Sequence, residues 1–507
     1  MTNRMTGPAG GQTVTRTGTL GFAGHPAGLS GLYFTELWER FSYYGMRALL
    51  TLFMVAPIAE GGLGFVTADA GRIYGNYTMA VYMLSIPGGF IADRILGARR
   101  AVLWGGCTIA AGHYALAVPT VATFYLGLVL IALGTGLFKP NISALVGALY
   151  ARDDERRDAG FSIFYMGINI GAFIAPLVTG FLAQSAMFKN WLVSMGFDPA
   201  QSWHWGFAAA GVGMTLAMVS FVRSSRNLQE PDHHLPLAGT DRAPLIRQTM
   251  VVIAGTLALL ALGVASDIEG LTGLRWLFLF APLGVLAIAL KSGTDDGRRI
   301  AAIAVLFIAA MIFWAIFEQA GTTIALFADQ LTDTQLLGYP FPSSWFQSVN
   351  PVFVILLAPL FAALWLRLGA RQPSAAVKFA LGLVFLSLSF ALMVPAAQLT
   401  AAGEVSPLWL VGLFFLQTVG ELLLSPVGLS AMTRLAPARA TGLVLGVWFL
   451  AAAWGNKLAG VMGGQFSGGK SEALYSFFLT QAIWVAVAAA LLLCVSPWVK
   501  KLSQTAR

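Results

Sequence analysis

Phe34-Thr-Glu36-Leu-Trp-Glu39-Arg40-Phe-Ser-Tyr43-Tyr44-Gly-Met-Arg47-Ala-Leu-Leu50 decides how this chain is read. Four charged side chains sit inside a segment otherwise apolar enough to cross a bilayer. At 3.6 residues per turn, Glu36, Arg40, Tyr43, Tyr44 and Arg47 share one helix face, with Glu39 on its edge. Each charge at membrane depth costs roughly 2.5–3.5 kcal/mol on the lenient insertion scale, so four of them do not face lipid. They either pair in a structural network that holds helices together or line a water-filled path. Carboxylates beside an arginine also suit a second task, because their protonation responds to what occupies the site.

Outward from this stretch the composition is that of a membrane protein. Of 507 residues 57% are hydrophobic and 11% charged, and the mean hydropathy is +0.73. Runs long enough to cross about 30 Å of hydrocarbon recur from end to end, which predicts an all-α polytopic membrane protein. The net charge of +8 is no sign of nucleic-acid binding, since the basic residues lie in short connections between apolar runs. Cys107 and Cys494 lie far apart in apolar segments and indicate neither a disulfide framework nor a metal site. Residues 1–28 are rich in Gly, Thr and Arg without a signal-peptide core, and read as a disordered tail.

Fourteen apolar spans can be counted. Alternate connections hold nearly all the Lys and Arg, for example Arg94, Arg99 and Arg100, then Arg156 and Arg157, and finally Lys500 and Lys501. The opposite connections offer little beyond Lys189, Arg275 and Lys470. Positive residues stay inside, so both termini are expected in the cytoplasm. The longest polar interruption separates six spans from eight, and the seventh and eighth carry no membrane-depth charge. Set aside as an inserted hairpin, they leave six plus six. The domains expected are a cytoplasmic tail (1–28), a six-helix bundle (29–226), a cytoplasmic linker (227–247), a helical hairpin (248–292), a second six-helix bundle (293–499) and a second tail (500–507).

The remaining buried charges then fall into a pattern. Glu36, Glu39, Arg40 and Arg47 are on core helix 1, Lys139 on helix 4, Glu318 on helix 7 and Glu421 on helix 10. These lead four consecutive triplets, as expected of a bundle of three-helix repeats whose lead helices line a central cavity. Lys457, on helix 11, breaks the pattern and is expected to snorkel toward the outer surface. His113 and His204 read as packed or interfacial residues.

At these motifs the sequence resembles the proton-dependent oligopeptide transporter (POT/PTR) family, a branch of the major facilitator superfamily. Glu36-Leu-Trp-Glu39-Arg40-Phe-Ser-Tyr43-Tyr44 resembles that family's E-x-x-E-R-F-x-Y-Y. Gly89-Phe-Ile-Ala-Asp93-Arg94-Ile-Leu-Gly97-Ala-Arg99-Arg100 resembles the superfamily loop between helices 2 and 3, either a positive-inside anchor or a cytoplasmic gate latch. Gly134-Thr-Gly136-Leu-Phe-Lys139-Pro-Asn141 and Phe161-Ser-Ile-Phe-Tyr165-Met-Gly-Ile-Asn169 match the helix 4 and helix 5 signatures. Phe317-Glu318-Gln319, Trp345-Phe-Gln-Ser-Val-Asn350-Pro351, Gly420-Glu421-Leu-Leu-Leu-Ser425-Pro426 and Gly446-Val-Trp448-Phe449 resemble signatures of the second half. The resemblance implies the major facilitator fold, with twelve core helices in two six-helix halves plus the inserted hairpin. It implies a proton-coupled symporter importing di- and tripeptides, in a bacterial inner membrane, with no cofactor, no nucleic-acid partner and function as a monomer.

A small zwitterion sets the roles that follow. Its carboxylate needs cationic donors, and Arg40 and Lys139 are the candidates. Its ammonium needs an anion across the cavity, for which Glu421 stands. Asn169 and Asn350 can donate to and accept from the peptide amide and termini. Tyr43, Tyr44, Tyr82, Trp448 and Phe449 would supply hydroxyls and side-chain pockets; ordinary packing is the competing reading for the last two. Four carboxylates (Glu36, Glu39, Glu318, Glu421) against three cations (Arg40, Arg47, Lys139) leave the set one negative charge in excess, so one carboxylate can carry a proton at little electrostatic cost. Proton coupling is therefore assigned to Glu36, Glu39, Arg40 and Glu318, with Glu36 or Glu39 the carrier. Arg47–Glu318 and Lys139–Glu421 are expected as inter-half ion pairs, formed in one state and broken in the other. No histidine occurs on the helix containing Tyr82, where the family's animal members place one, so coupling rests on carboxylates.

Other classes fit less well. A membrane enzyme would need a nucleophile–base set or a metal cluster, and neither G-x-S-x-G nor H-E-x-x-H is present. A passive channel has no use for complementary charges on opposite halves. The runner-up is a proton-coupled carrier of another small solute such as an amino acid or nitrate, although nitrate has no ammonium to satisfy Glu421.

Overall fold

The computed structural model describes residues 24–151, 154–228, 243–290, 294–336, 338–435, 441–468 and 471–504. The first half is built from α1 (Ala27–Val55), α2 (Thr67–Met83) continued by α3 (Ser85–Ile91), α4 (Ala98–Leu116), α5 (Val121–Ala148), α6 (Arg157–Gln184) and α8 (Ser202–Ser224), with a short surface helix α7 (Ala186–Ser194). A hairpin of α9 (Ala243–Ala265) and α10 (Leu274–Leu290) follows. The second half comprises α11 (Thr294–Phe317) continued by α12 (Thr323–Gln330), α13 (Val349–Leu368), α14 (Ala375–Leu399), α15 (Leu408–Leu435), α16 (Thr441–Gly463) and α17 (Ser471–Gln504). Among the described residues ten helical rods are long and apolar enough to cross a membrane. The helices α1, α4, α10 and α16 complete the set of fourteen rods; α1 carries the four charges.

The halves are assembled alike. In the first, α4 packs on α5 and α8, and α1 on α6 and α8; in the second, α14 packs on α15 and α17, and α11 on α16 and α17. Glycine lets backbones approach where apolar packing alone must hold helices together. Gly105 and Gly112 of α4 lie against Gly134 and Gly127 of α5 so closely that an added Cβ would come within 2.8 Å of the opposing carbonyl oxygens. Gly97 closes the turn into α4 at φ +81°, a conformation open to glycine. Thr120 starts α5 by accepting the Thr123 amide at 3.1 Å. In the α5–α6 connection Arg156 donates from its side chain and its backbone to Asp154, which holds that carboxyl down at about 2, and reaches the Gly24 carbonyl at 3.1 Å. With His25 Nδ1 2.9 Å from the Tyr150 hydroxyl, this anchors the start of α1.

Several expected boundaries move. The helix α1 starts at Ala27 and α9 at Ala243, and α17 runs through Gln504, so the terminal segment expected from residue 500 is helical at its start. Residues 1–23 of the expected tail and 229–242 of the expected linker lie outside the described residues. The hairpin lies on the outside of the bundle: α9 packs on α2 and α3, and α10 on α11 and α16.

Lys457 is a correction. It does not snorkel. Its side chain is buried, and its ammonium donates to Asp267 at the hairpin tip and to the Asn76 Oδ1 of α2. Reach was not the deciding quantity; a carboxylate supplied from the hairpin removes the need to find water.

Candidate functional site

The charged face of α1 is held by the packing of α1 on α6 and α8, and every charge on it is accounted for. Arg40 Nε donates to Glu36 Oε1 at 2.8 Å, one helical turn away. Glu39 Oε2 lies 2.7 Å from the same nitrogen as an ionic contact, without hydrogen-bond geometry. All three side chains are at most 7% exposed. Glu36 Oε2 and both Glu39 oxygens are buried and accept no hydrogen bond. Arg40 therefore contacts both carboxylates, while their other oxygens are enclosed by protein without a donor.

Two turns along α1, Arg47 pairs with Glu318 of the second half and donates from Nε to the Tyr74 hydroxyl at 2.6 Å. Glu318 stands where α11 stops: a turn of tighter helix, Glu318–Gly321, interrupts the rod before α12 and frees a carbonyl. Thr51 donates to that carbonyl, on Gly321, at 2.6 Å. Tyr74 was missed by sequence reasoning; its spacing from Tyr82 on the same rod was the available signal.

Other inter-half contacts gather at the same end, the one away from the termini. Trp345 Nε1 donates to the Leu177 carbonyl at 3.1 Å, Ser348 to the Phe173 carbonyl at 2.7 Å, and Gln184 Nε2 to Ser343 Oγ at 2.9 Å. At the α2–α16 crossing, Gly71 and Gly75 face Gly460 and Gly464. The molecule is therefore closed at that end.

Toward the other end the expected second ion pair is unmade. Lys139 sits beside Pro140 on α5 with its ammonium 4.1 Å from the Tyr82 ring centroid. Glu421 on α15 accepts from Asn350 Nδ2 at 3.1 Å, and Asn350 also donates to Thr418 Oγ1 at 2.9 Å. Neither Lys139 nor Glu421 reaches the other, so one of the two expected ion pairs is formed and the other is open.

The remaining candidates divide. Tyr43 is buried with Arg40 5.8 Å from its ring, and Tyr44 stacks edge-on to it at 5.3 Å, within the electrostatic field of Arg40, Arg47, Glu318 and Glu421. Asn169 donates to the Tyr165 carbonyl of its own helix at 3.1 Å, which leaves its carbonyl oxygen for another donor. Trp448 is buried over Gly428 with its ring 6.0 Å from Phe379, a packing role in this conformation, whereas Phe449 is 43% exposed. His113 is fully buried without a hydrogen-bond partner, and His204 Nδ1 meets the Leu116 carbonyl at 3.1 Å. Both have structural surroundings.

Two six-helix halves, closed at one end across an Arg–Glu pair and carrying uncommitted opposite charges on their inner helices, define a secondary transporter of the alternating-access kind. The chain belongs to the POT family, whose model matches residues 99–485. It is similar to the peptide transporter YePEPT of Yersinia enterocolitica, 39% identical over 522 residues that cover 97% of this chain and 98% of that protein. An uncharacterized transporter of Bacillus subtilis, YclF, is 42% identical over 494 residues, 95% and 96% of the two chains. Among solved structures, a POT peptide transporter variant in complex with alafosfalin superposes with a TM-score of 0.82 at 40% identity, covering 95% of this chain and 96% of that one. A POT family transporter in complex with 5-aminolevulinic acid gives 0.81 at 32% identity, covering 95% and 98%. The protein is a transporter, not an enzyme.

Proposed function

We propose that this chain is a symporter that carries di- and tripeptides together with protons into a bacterial cell across the inner membrane. Both termini are cytoplasmic in this reading, so the closed end faces outward and the state described is inward-facing. The observation that carries the reading is the Glu36–Glu39–Arg40 cluster: one guanidinium contacts two carboxylates whose remaining oxygens are buried without donors. When Glu39 or Glu36 is protonated, the hold on Arg40 weakens and its fork can take a peptide carboxylate. Release of that proton to the cytoplasm returns Arg40 to its glutamates and expels the substrate. Lys139 adds a second positive charge for the carboxylate, and Glu421, oriented by Asn350, meets the ammonium. Named relatives that carry peptides, among them the di-/tripeptide transporter of Lactococcus lactis, support the substrate class.

The test is uptake of radiolabelled dialanine into proteoliposomes under an inward acid gradient. Accumulation above equilibrium that collapses with a protonophore is expected. Glu39→Gln should lose accumulation while retaining peptide exchange at equal concentrations. Accumulation in Glu39→Gln with wild-type pH dependence would remove the cluster from the coupling step, and absence of dialanine transport would redirect the search to another small solute.

A further inference from the structure

The inserted hairpin is not parked beside the transporter; it grips both halves at once. On the first half, Met79 of α2 packs into the space left by Gly263 of α9, and Arg94 Nη1 donates to Gln248 Oε1 at 2.8 Å. On the second half, Phe278 of α10 stacks on Trp454 of α16 with ring centroids 4.2 Å apart and an interplanar angle of 1°, and Trp454 Nε1 donates to the Phe278 carbonyl at 2.8 Å. At the tip, three groups from three bodies meet. Asp267 of the hairpin pairs with Lys457 of α16, Asn76 Nδ2 of α2 donates to the same Asp267 oxygen at 3.0 Å, and Lys457 also donates to Asn76. The Lys457 and Asp267 side chains are 5% and 9% exposed.

We propose that Asp267, Lys457 and Asn76 form a latch on the outer gate, so that the hairpin is a working part of alternating access. The inference rests on alternating access as read above, not on the identity of the substrate. Opening the outer end must separate α2 from α16, whose glycines touch one turn from this cluster. That movement pulls Asn76 away from Lys457. Asp267 stays with Lys457, because the Phe278–Trp454 stack fixes α10 to α16, and Asp267 surrenders its bond from Asn76. A cavity of about 470 Å³ lined in part by Asp69, Arg72, Asn76, Asp267 and Glu269 adjoins these groups and leaves room for water as they separate. Arg72 pairs with Asp69 there, and Arg275 donates to the Ser266 carbonyl at the tip at 3.1 Å, so both neighbouring cations are engaged and Asp267 is committed to Lys457. The latch biases the closed state; its removal favours the open one.

The experiment places spin labels at Ile58→Cys and Leu336→Cys, exposed positions at the outer end of each half, in a chain with Cys107→Ser and Cys494→Ser. Electron–electron distance distributions are read in nanodiscs without substrate. Asn76→Leu, which leaves the ion pair intact, should raise the ratio of long to short distances at least fivefold. Asp267→Asn, which makes the bond from Asn76 a neutral one, should shift the ratio in the same direction by a smaller factor. The exchange Asp267→Lys with Lys457→Asp, which keeps a charged partner for Asn76, should restore the short distance. Unchanged distributions in folded Asn76→Leu and Asp267→Asn would overturn the latch, as would a loss of thermal stability in both without any shift in distance, the mark of a purely structural contact. Should Asp267→Asn not fold, Asn76→Leu decides alone. Dialanine uptake is measured separately, so failure of the substrate reading leaves this outcome unaffected.

Discussion

Substituting Gly71 by alanine should hold the transporter open at its outer end. The Cβ would stand 2.4 Å from the Gly460 carbonyl oxygen and 2.7 Å and 2.9 Å from the Gly464 nitrogen and Cα, all of them backbone atoms. No side chain can rotate to relieve this, and ordinary contact begins near 3.4 Å, so α2 and α16 must separate by about 1 Å. Overpacking of this kind costs about 1–3 kcal/mol. Alanine also gains about 1 kcal/mol of helix propensity over glycine, but that gain is present in both states and cancels from their ratio. The closed-to-open ratio should therefore fall roughly 5- to 150-fold. The doubly labelled chain described above reads this directly as growth of the long-distance population. Gly255→Ala on α9, whose Cβ would meet nothing within 4 Å, is the control. A wild-type distribution in a folded Gly71→Ala protein would show that the glycine crossing does not set closure, and the reasoning would fail.

Two further outcomes follow from the site. Arg47→Met leaves Glu318 buried without its cation and should cost about 3–5 kcal/mol in the closed state, while the double change with Glu318→Gln recovers part of it; unfolding midpoints in one detergent at one pH rank the three proteins, and a double variant no better than Arg47→Met would refute the pairing. Asn350→Ala frees Glu421 from its orienting bond and should raise the KM for dialanine about tenfold with a small change in maximal rate. The same change should leave N-acetylated dialanine unaffected if Glu421 serves the ammonium.

The sequence carried the fold because each of its signals was physically forced. Charges in an apolar segment had to be resolved within the bundle, and apolar runs recurring from end to end had to become a bundle of spanning helices. Lead-helix placement of Glu36, Lys139, Glu318 and Glu421 then followed from three-helix repeats. Pairing partners were harder to read. Arg47–Glu318 was legible since both residues lie on lead helices, but Tyr74 was not, because a tyrosine on an amphipathic rod is ordinarily a packing residue. Which expected pair is formed was not legible at all: closure at one end forms Arg47–Glu318 and parts Lys139 from Glu421, and a sequence encodes both states.

Lys457 is the most instructive miss. Judged by periodicity it was an exception in a pattern of lead helices, and a long side chain near a helix end is usually explained by reach to the interface. Its partner Asp267 sits 190 residues earlier, in a hairpin whose helices carry no membrane-depth charge and so seemed idle. The error lay in looking for a partner of Lys457 only among spans that carry charges inside them. An element can act through its tip alone: α9 and α10 present apolar faces to opposite halves and bring one carboxylate to the line where those halves part. A buried cation whose partner is not on a neighbouring lead helix should then be traced to whatever crosses the boundary between moving bodies, because a group that must stay neutralised in both states is best served by an element touching both.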